Sequence, residues 1–219
     1  MPRKNIRDFH GKPMMLHVLE AARDSGLFDE IHVSTDDEEV SQVAADAGFA
    51  PEFKRPSRLA GHMAPIRPVV RHVLQTYEAR GRVFRTVALL MATAVLIDAD
   101  DLRQACAVFE TGDRKWPLIS VSRYPVPIEW AFRLAEDGRL SPVDPGAFAI
   151  RSCDLDAAYY DAACFVFYDR STLLATDRAG TDQGFRAFVL PIHKAIDIDT
   201  PEDLEIAQRF FAAFRTEHG

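Results

Sequence analysis

Cysteine is scarce in this sequence, and its placement excludes two kinds of small stabilised domain. The three cysteines, Cys106, Cys153 and Cys164, form no CxxC pair, so neither a disulfide framework nor a zinc knuckle is indicated. The seven histidines include no HxxxH pair, and the chain contains no GxSxG motif. A catalytic zinc site and the nucleophile elbow of a hydrolase therefore have no support.

Basic residues are also in deficit. The chain has 26 Lys and Arg against 33 Asp and Glu, a net charge of -7. Nucleic acids and anionic lipids are bound by clustered cations, so we expect a small-molecule partner and no nucleic acid. No apolar run reaches the length of a membrane span, and the first residues are polar. These absences predict no membrane association and a cytoplasmic protein.

The 219 residues, 47% of them hydrophobic, are enough for one α/β domain over the whole chain, 1–219. Helical spacing of apolar residues and β-prone runs predict alternating elements. The predicted helices are 13–25, a second one that ends at 47 with its cap and first acids within 35–39, and then 68–79, 99–110 and 201–214. The predicted strands are 30–34, 50–53, 86–91, 164–168 and 188–192. This alternation indicates a mostly parallel sheet with ligands at its carboxyl-end loops, here 34–37, 92–98 and 197–200.

Residues 118–150 have a different texture and predict a small β excursion. The stretch is β-prone but is interrupted by Pro125 and Pro127, and an Asp137-Gly138 turn and a loop rich in Pro and Gly follow. It does not read as another strand–helix unit.

A pair of acids near the C-terminus is the sharpest chemical feature. Strand-like alternation places Asp197 and Asp199 on one face, about 7 Å apart. Hard carboxylate oxygens suit Mg²⁺, which is usually held by one or two carboxylates together with substrate phosphates. Alternatively, the acids only introduce a helix capped by Thr200, with Asp203 in its first turn. Capping accounts for residues 200–203 but not for Asp197.

Two further clusters are ambiguous from spacing alone. Arg3, Lys4 and Asn5 could read phosphates and a base, although a terminal basic cluster is commonly solvated surface. Arg151 offers a bidentate clamp for a sugar carboxylate. The alternative for that segment is a surface helix with Leu155 and Tyr159 packed inward.

Taken together, these elements resemble the acylneuraminate cytidylyltransferase family, in particular its pseudaminic acid branch. The resemblance covers essentially the whole chain. Its motifs are Pro2 to Asn5 with Gly11 to Met14, Ser25 to Glu30, Val33 to Glu39, Arg55-Pro56, Ala92 to Ala94, Pro125 with Pro127-Ile128, Arg151-Ser152 with Asp154-Leu155, Tyr159 with Asp161-Ala162, and Asp197 to Asp203.

The resemblance implies a three-layer, Rossmann-like nucleotide-diphospho-sugar transferase fold and a specific reaction. The anomeric hydroxyl of a nine-carbon acidic sugar attacks the α-phosphate of CTP, and pyrophosphate leaves. By analogy, catalysis would involve Lys4, Asp197 and Asp199, and the two acids would hold Mg²⁺. The other implied roles are nucleotide binding by Arg3, Lys4, Asn5 and Arg55, sugar binding by Arg151, Asp154, Tyr159 and Asp161, and homodimerisation through the excursion.

The chain also departs from the family pattern. Relatives begin with an apolar strand and an A-R-x-G-S-K-R loop before the Pro-x-Lys-Asn motif, so we expect that strand and phosphate-binding loop to be absent before residue 1. His62, Met63, Pro65 and Ile66 stand where relatives carry an Asp-Thr pair and small hydroxyl residues. Cys153 and Cys164 replace Gln, Ala163 replaces Gly, and Val95 replaces Pro. Two alternatives follow: a catalytically inactive homologue that binds sugar or assembles with a partner, and a cytidylyltransferase for another acidic sugar.

Overall fold

The computed structural model describes Met1 and residues 3–61, 64–175 and 184–217. Within these residues the helices are α1 Met14–Ser25, α2 Glu38–Asp46, α3 Ile66–Ala79, α4 Ala99–Thr111, α5 Arg170–Ala175 and α6 Pro201–Glu217. The strands are β1 Asp8–Phe9, β2 Lys12–Pro13, β3 Thr86–Leu90, β4 Leu118–Arg123, β5 Phe132–Leu134, β6 Leu140–Pro142, β7 Tyr159–Asp169 and β8 Arg186–Val189.

The predicted helices are confirmed, and local signals in the sequence fix their ends. Helix α1 stops at Gly26, whose φ of 66° is a left-handed conformation that glycine adopts without strain. Helix α2 begins where the Asp37 carboxylate accepts hydrogen bonds from the amides of Glu39 and Val40. None of the described helices is both long and apolar enough to cross a membrane.

In the part of the chain that the structure describes, the main sheet has four strands in the order β3-β7-β4-β8. Strand β7 runs antiparallel to both β3 and β4, whereas β4 and β8 are parallel. Three of the four strands therefore share one direction, with β7 reversed between β3 and β4. The predicted α/β class is confirmed. The described sheet is mixed, with one parallel and two antiparallel pairings.

Alternating side chains of β7 face two different helical layers. Phe165 and Phe167 belong to a buried cluster with residues of α1 and α4. The buried Tyr168 and the partly buried Val166 pack instead with residues of α3 and α5. Since successive side chains of a strand point to opposite faces, this division makes three layers with the sheet in the middle.

Two short predicted strands were wrong. Residues 30–34 and 50–53 form no β-ladder, because a strand needs a hydrogen-bonding neighbour and no other described segment pairs with either run. Their apolar side chains are still used: Ile31, Val33 and Phe49 pack against α1 in a separate cluster. The last predicted strand, 188–192, is confirmed at Arg186–Val189, where it begins two residues and ends three residues earlier than predicted.

The excursion begins later than expected. Residues 118–123 form β4 inside the main sheet, where Leu118 is fully buried. The separate part is the hairpin of β5 and β6, in which Leu134 pairs with Leu140. Every residue of these two strands is exposed. The hairpin therefore projects from the domain with apolar side chains in solvent.

Candidate functional site

Lys4 and the 197–199 segment lie together, although almost the whole chain separates them. A 3-10 turn over Lys4–Ile6 presents the Lys4 ammonium group. Its Nζ donates to Asp199 Oδ1 at 2.7 Å and to the Ile198 carbonyl oxygen at 3.2 Å. A cation and two carboxylates predicted to share a function are thus brought to one place.

The side chain of Ile198 decides how the two acids face. Ile198 is fully buried in a cluster with Phe9, Met14 and Leu96, so Asp197 and Asp199 on either side of it turn outward and are exposed. The capping interpretation is also correct for the following residues. Asp203 accepts hydrogen bonds from the amides of Asp199 and Thr200, and its own amide donates to the Thr200 hydroxyl.

Negative charge is concentrated around Asp197. Partial burial raises the pKa of its carboxyl above the ordinary value, and Asp199, Asp203 and Asp161 raise it further while Lys4 opposes them. Asp161 is therefore within electrostatic reach of the pair. Among the described residues, no group of three or more His, Cys, Asp or Glu side chains could hold a metal ion alone.

This donor set fits Mg²⁺ as a partly protein-bound ion. Two outward-facing carboxylates supply hard oxygen ligands. Burial is the main cause of the raised pKa of Asp197, and the neighbouring carboxylates add to it, so a divalent cation would relieve the repulsion among these acids. Mg²⁺ retains waters and takes phosphate oxygens to complete its shell, so a full cage of protein ligands is not required.

The other predicted nucleotide residues border the loop 34–37. Arg3 forms an ion pair with Glu39 at the start of α2, and Asn5 lies in the same turn as Lys4. The Arg55 guanidinium donates to the carbonyl and hydroxyl oxygens of Ser34. Arg3, Lys4 and Asn5 thus lie between the 34–39 segment, which Arg55 contacts, and the acids at 197–199.

The side chains predicted to bind the sugar fall into two groups. Arg151 forms an exposed bidentate pair with Asp154, at 2.8 and 3.1 Å. The surface-helix alternative is wrong, because residues 152–154 form a single 3-10 turn and Tyr159 already begins β7. Asp161 is brought towards Asp197, whereas no described contact joins Arg151 or Asp154 to Asp197 or Asp199.

An irregular bulge in β7 sets the position of Asp161. Opposite β4 the register jumps from Ile119 with Val166 to Val121 with Asp161. The Ser120 hydroxyl fills the gap by accepting hydrogen bonds from the amides of Cys164 and Phe165, both at 3.1 Å. Asp161 Oδ1 accepts from the Ala163 amide at 2.8 Å. Bulges of this kind re-aim side chains beside active sites.

Ala163→Gly is expected to stabilise the protein. Ala163 has a φ of 49°, a left-handed conformation that costs an L-residue roughly 1–2 kcal/mol and glycine almost nothing. After the lost methyl contact and glycine's greater unfolded-state entropy, a net gain of about 1 kcal/mol should raise Tm by about 2–4 °C. Thermal unfolding followed by circular dichroism measures the change. The neighbouring Ala162→Gly, at a buried position without positive φ, should lower Tm, and a fall for Ala163→Gly as well would contradict the strain argument.

The structure shows the surroundings of several other residues that depart from the family pattern. Cys153 is exposed beside Asp154, whereas Cys164 is buried, and burial raises the pKa of its thiol to about 12. Pro65 precedes α3, and Ile66 opens that helix with 47% of its surface exposed. His62 and Met63 lie outside the described residues.

Sequence reasoning missed an ion-pair group that includes Lys194, three residues before Asp197. Lys194 Nζ donates to Asp98 Oδ2 and to Asp101 Oδ2, both at 2.6 Å. Asp98 and Asp101 also form the capping box of α4. The signal was available in part, because an Asp-x-x-Asp pair before an apolar periodic run is a helix start. Nothing in the sequence links that start to a lysine 93 residues later.

Known proteins are similar to this chain over nearly its whole length. A family model for cytidylyltransferases matches residues 1–217. Pseudaminic acid cytidylyltransferase of Campylobacter jejuni is 36% identical over 214 residues, covering 95% of this chain and 89% of the relative. The CMP-N,N'-diacetyllegionaminic acid synthase of Legionella pneumophila is 24% identical over 211 residues, covering 95% of this chain and 89% of the relative.

Solved structures show the same fold at low sequence identity. A CMP:2-keto-3-deoxy-manno-octonic acid synthetase complexed with CTP aligns with a TM-score of 0.68 and 16% identity, covering 97% of this chain and 93% of that one. A 4-diphosphocytidyl-2C-methyl-D-erythritol synthase aligns with a TM-score of 0.63 and 13% identity, covering 95% and 94%.

Proposed function

This chain belongs to the cytidylyltransferase family, and from that premise we propose that it transfers CMP from CTP to a nonulosonic acid of the pseudaminic or sialic acid type. The observation that carries the proposal is the contact between Lys4 and Asp199, with Asp197 beside them. A cation and two carboxylates that could hold a metal ion meet there, and phosphoryl chemistry depends on such groups.

The reaction makes one bond and breaks one. The anomeric oxygen of the sugar attacks the α-phosphorus of CTP, the bond from that phosphorus to the bridging oxygen of the β-phosphate breaks, and pyrophosphate leaves. The proton of the anomeric hydroxyl must pass to a base. Such chemistry depends mainly on positioning and charge neutralisation. Acids, a lysine and a network of capping hydrogen bonds at 197–203 support that interpretation.

Asp197 and Asp199 would hold Mg²⁺ in this site. When bound, the ion neutralises phosphate charge and fixes the geometry of the leaving group. Lys4 would exchange part of its bond with Asp199 for a phosphate oxygen, which is inexpensive because 66% of the Asp199 side chain is exposed. The repulsion from neighbouring carboxylates, which adds to burial in raising the pKa of Asp197, would fall on metal binding.

The remaining roles follow the positions of the side chains. Arg3, Asn5 and Arg55 would address the nucleotide from the 34–39 side of the site. Asp161 would contact the sugar nearest to the acids, while Arg151, Asp154 and Tyr159 would bind its outer part. Arg151 already forms a bidentate carboxylate pair, so a sugar carboxylate could replace Asp154 in the same geometry.

We further propose that the protein is a cytoplasmic homodimer. The exposed hairpin residues Leu134 and Leu140, with Phe148 nearby, supply the apolar surface that a second copy would cover; their exposed fractions are 72%, 61% and 64%. Free cysteines agree with a reducing compartment, and CTP is a cytoplasmic metabolite.

A product assay tests the proposed function. Purified protein is incubated with CTP, Mg²⁺ and, separately, pseudaminic acid, a sialic acid and ketodeoxyoctonate, and the products are identified by mass spectrometry alongside pyrophosphate release. We expect a CMP-sugar from a nine-carbon acid. Product from ketodeoxyoctonate alone would support the alternative of another acidic sugar. Calorimetric binding of CTP with no product from any sugar would instead favour the inactive homologue.

A further inference from the structure

Lys194 is a shielded cation between two carboxylates, and no role in the proposed reaction has been assigned to it. Its Nζ lies 2.6 Å from Asp98 Oδ2 and 2.6 Å from Asp101 Oδ2. Only 17% of the Lys194 side chain and 12% of the Asp101 side chain are exposed. Solvent screens such a pair much less than it screens the surface ion pairs of this protein.

Hydrogen bonds from backbone amides hold the two carboxylates in place independently of Lys194. Asp98 Oδ1 accepts from the amides of Asp100 and Asp101, and Asp101 Oδ2 accepts from the amide of Asp98. Helix α4, which begins at these residues, packs against the main core through the fully buried Leu102. Lys194 is therefore tied to a rigid point of the fold.

The segment that carries Lys194 leads directly to the acids of the site. It leaves the sheet at Leu190, whose amide donates to the Val121 carbonyl and whose carbonyl accepts from the Ser122 hydroxyl. It then turns, with the Cys164 thiol 3.7 Å from the Lys194 carbonyl, and Ala195 is buried. Asp197 follows Lys194 by three residues, so at most about 10 Å of chain separates them.

We propose that Lys194 is a positioning residue that sets the direction of Asp197 by fastening the 190–197 segment to the start of α4. This inference rests on the proposed function, because its consequence is metal binding with CTP. Without the ammonium group, Asp98 and Asp101 would face each other without the cation that the structure places between them. They would repel, and the segment would lose its anchor three residues before the metal ligand.

The test measures Mn²⁺ binding in the presence of CTP by electron paramagnetic resonance, which requires no turnover. Lys194→Met keeps the length of the side chain but removes the charge, and should weaken Mn²⁺ binding by about 10-fold, the effect typical of losing a residue that orients a ligand. Lys194→Arg should restore most of the affinity, because guanidinium can also bridge two carboxylates. Asp98→Asn retains a helix cap and loses one ionic contact, so a smaller loss is expected.

Arg114→Met is the matched control. Arg114 is equally shielded, with 12% of its side chain exposed, and pairs with Asp169 at 2.9 Å on another part of the sheet. It should lower the melting temperature without changing Mn²⁺ affinity. If Arg114→Met weakens binding as much as Lys194→Met does, or if Lys194→Met binds like the wild type, Lys194 has no positioning role.

The variants also separate this inference from the proposed function. If the wild-type protein binds no Mn²⁺ with CTP, the proposed function fails and the inference falls with it. If the wild type binds and the Lys194 variants are unchanged, only the inference fails. Should Lys194→Met not fold, Asp98→Asn decides: unchanged affinity in that variant overturns the proposal, and a loss supports it.

Discussion

Asp199→Asn is expected to lower kcat/KM for CMP transfer by about 10²–10³-fold, the range measured when one preorganised electrostatic group is removed from an active site. The substitution keeps the shape of the side chain but removes the charge that pairs with Lys4 at 2.7 Å. It also replaces one of the two carboxylates proposed to hold Mg²⁺ with a neutral amide, which is a weaker ligand for a hard cation. Steady-state pyrophosphate release at varied CTP and Mg²⁺ measures the loss.

Stability should change little in this variant. Since 66% of the Asp199 side chain is exposed, its ion pair is expected to be worth less than about 1 kcal/mol. Glu202→Gln is the control, because Glu202 is an exposed acid in the first turn of α6 and has no proposed role. Equal losses for both acids would mean that general negative charge matters rather than the Lys4–Asp199 contact. Full activity of Asp199→Asn would refute the proposed site.

Placing charges on the hairpin is expected to convert the proposed homodimer into monomers. Leu134→Glu combined with Leu140→Lys replaces two exposed leucines that face each other across β5 and β6. The opposite charges can pair across the strands and so preserve the hairpin. Burying them in an apolar interface should weaken association by at least about 100-fold, equivalent to about 2.7 kcal/mol.

Sedimentation velocity over a range of concentrations measures this effect. Val83→Glu is the control, because Val83 is similarly exposed, at 69%, and lies outside the hairpin. It should leave the association unchanged. A wild-type protein that is monomeric at every concentration would contradict the homodimer proposal, and a dimeric double variant would show that another surface mediates assembly.

Short runs were the least predictable part of the fold. Residues 30–34 are β-prone, yet a strand exists only where another segment completes its ladder, and local composition carries no information about that partner. The same reason explains why Leu118–Arg123 was assigned to the excursion. Its place between β7 and β8 depends on residues more than 35 positions away.

The candidate site likewise combines local patterns, which the sequence predicts, with long-range contacts, which it does not. Asp197 and Asp199 could be selected from their spacing, and the cap at Thr200 and Asp203 from its residue types, because both are local patterns. The group of Lys194, Asp98 and Asp101 could not, since its members come from separate elements. The bulge that aims Asp161 was also hidden, because Ser120 is an ordinary strand residue until β7 lies opposite it.

The sequence by itself determined the helices and several of their caps, since periodicity and capping residues act within a few residues of one another. Its ordered motifs carried the likeness to cytidylyltransferases, and that likeness implied the three-layer class. The tertiary structure alone decided the strand order, the reversal of β7 and the meeting of Lys4 with Asp199 across 195 positions. Burial of Ile198 and the pairing of strands that are distant in sequence produce those contacts, and burial depends on how the whole chain packs.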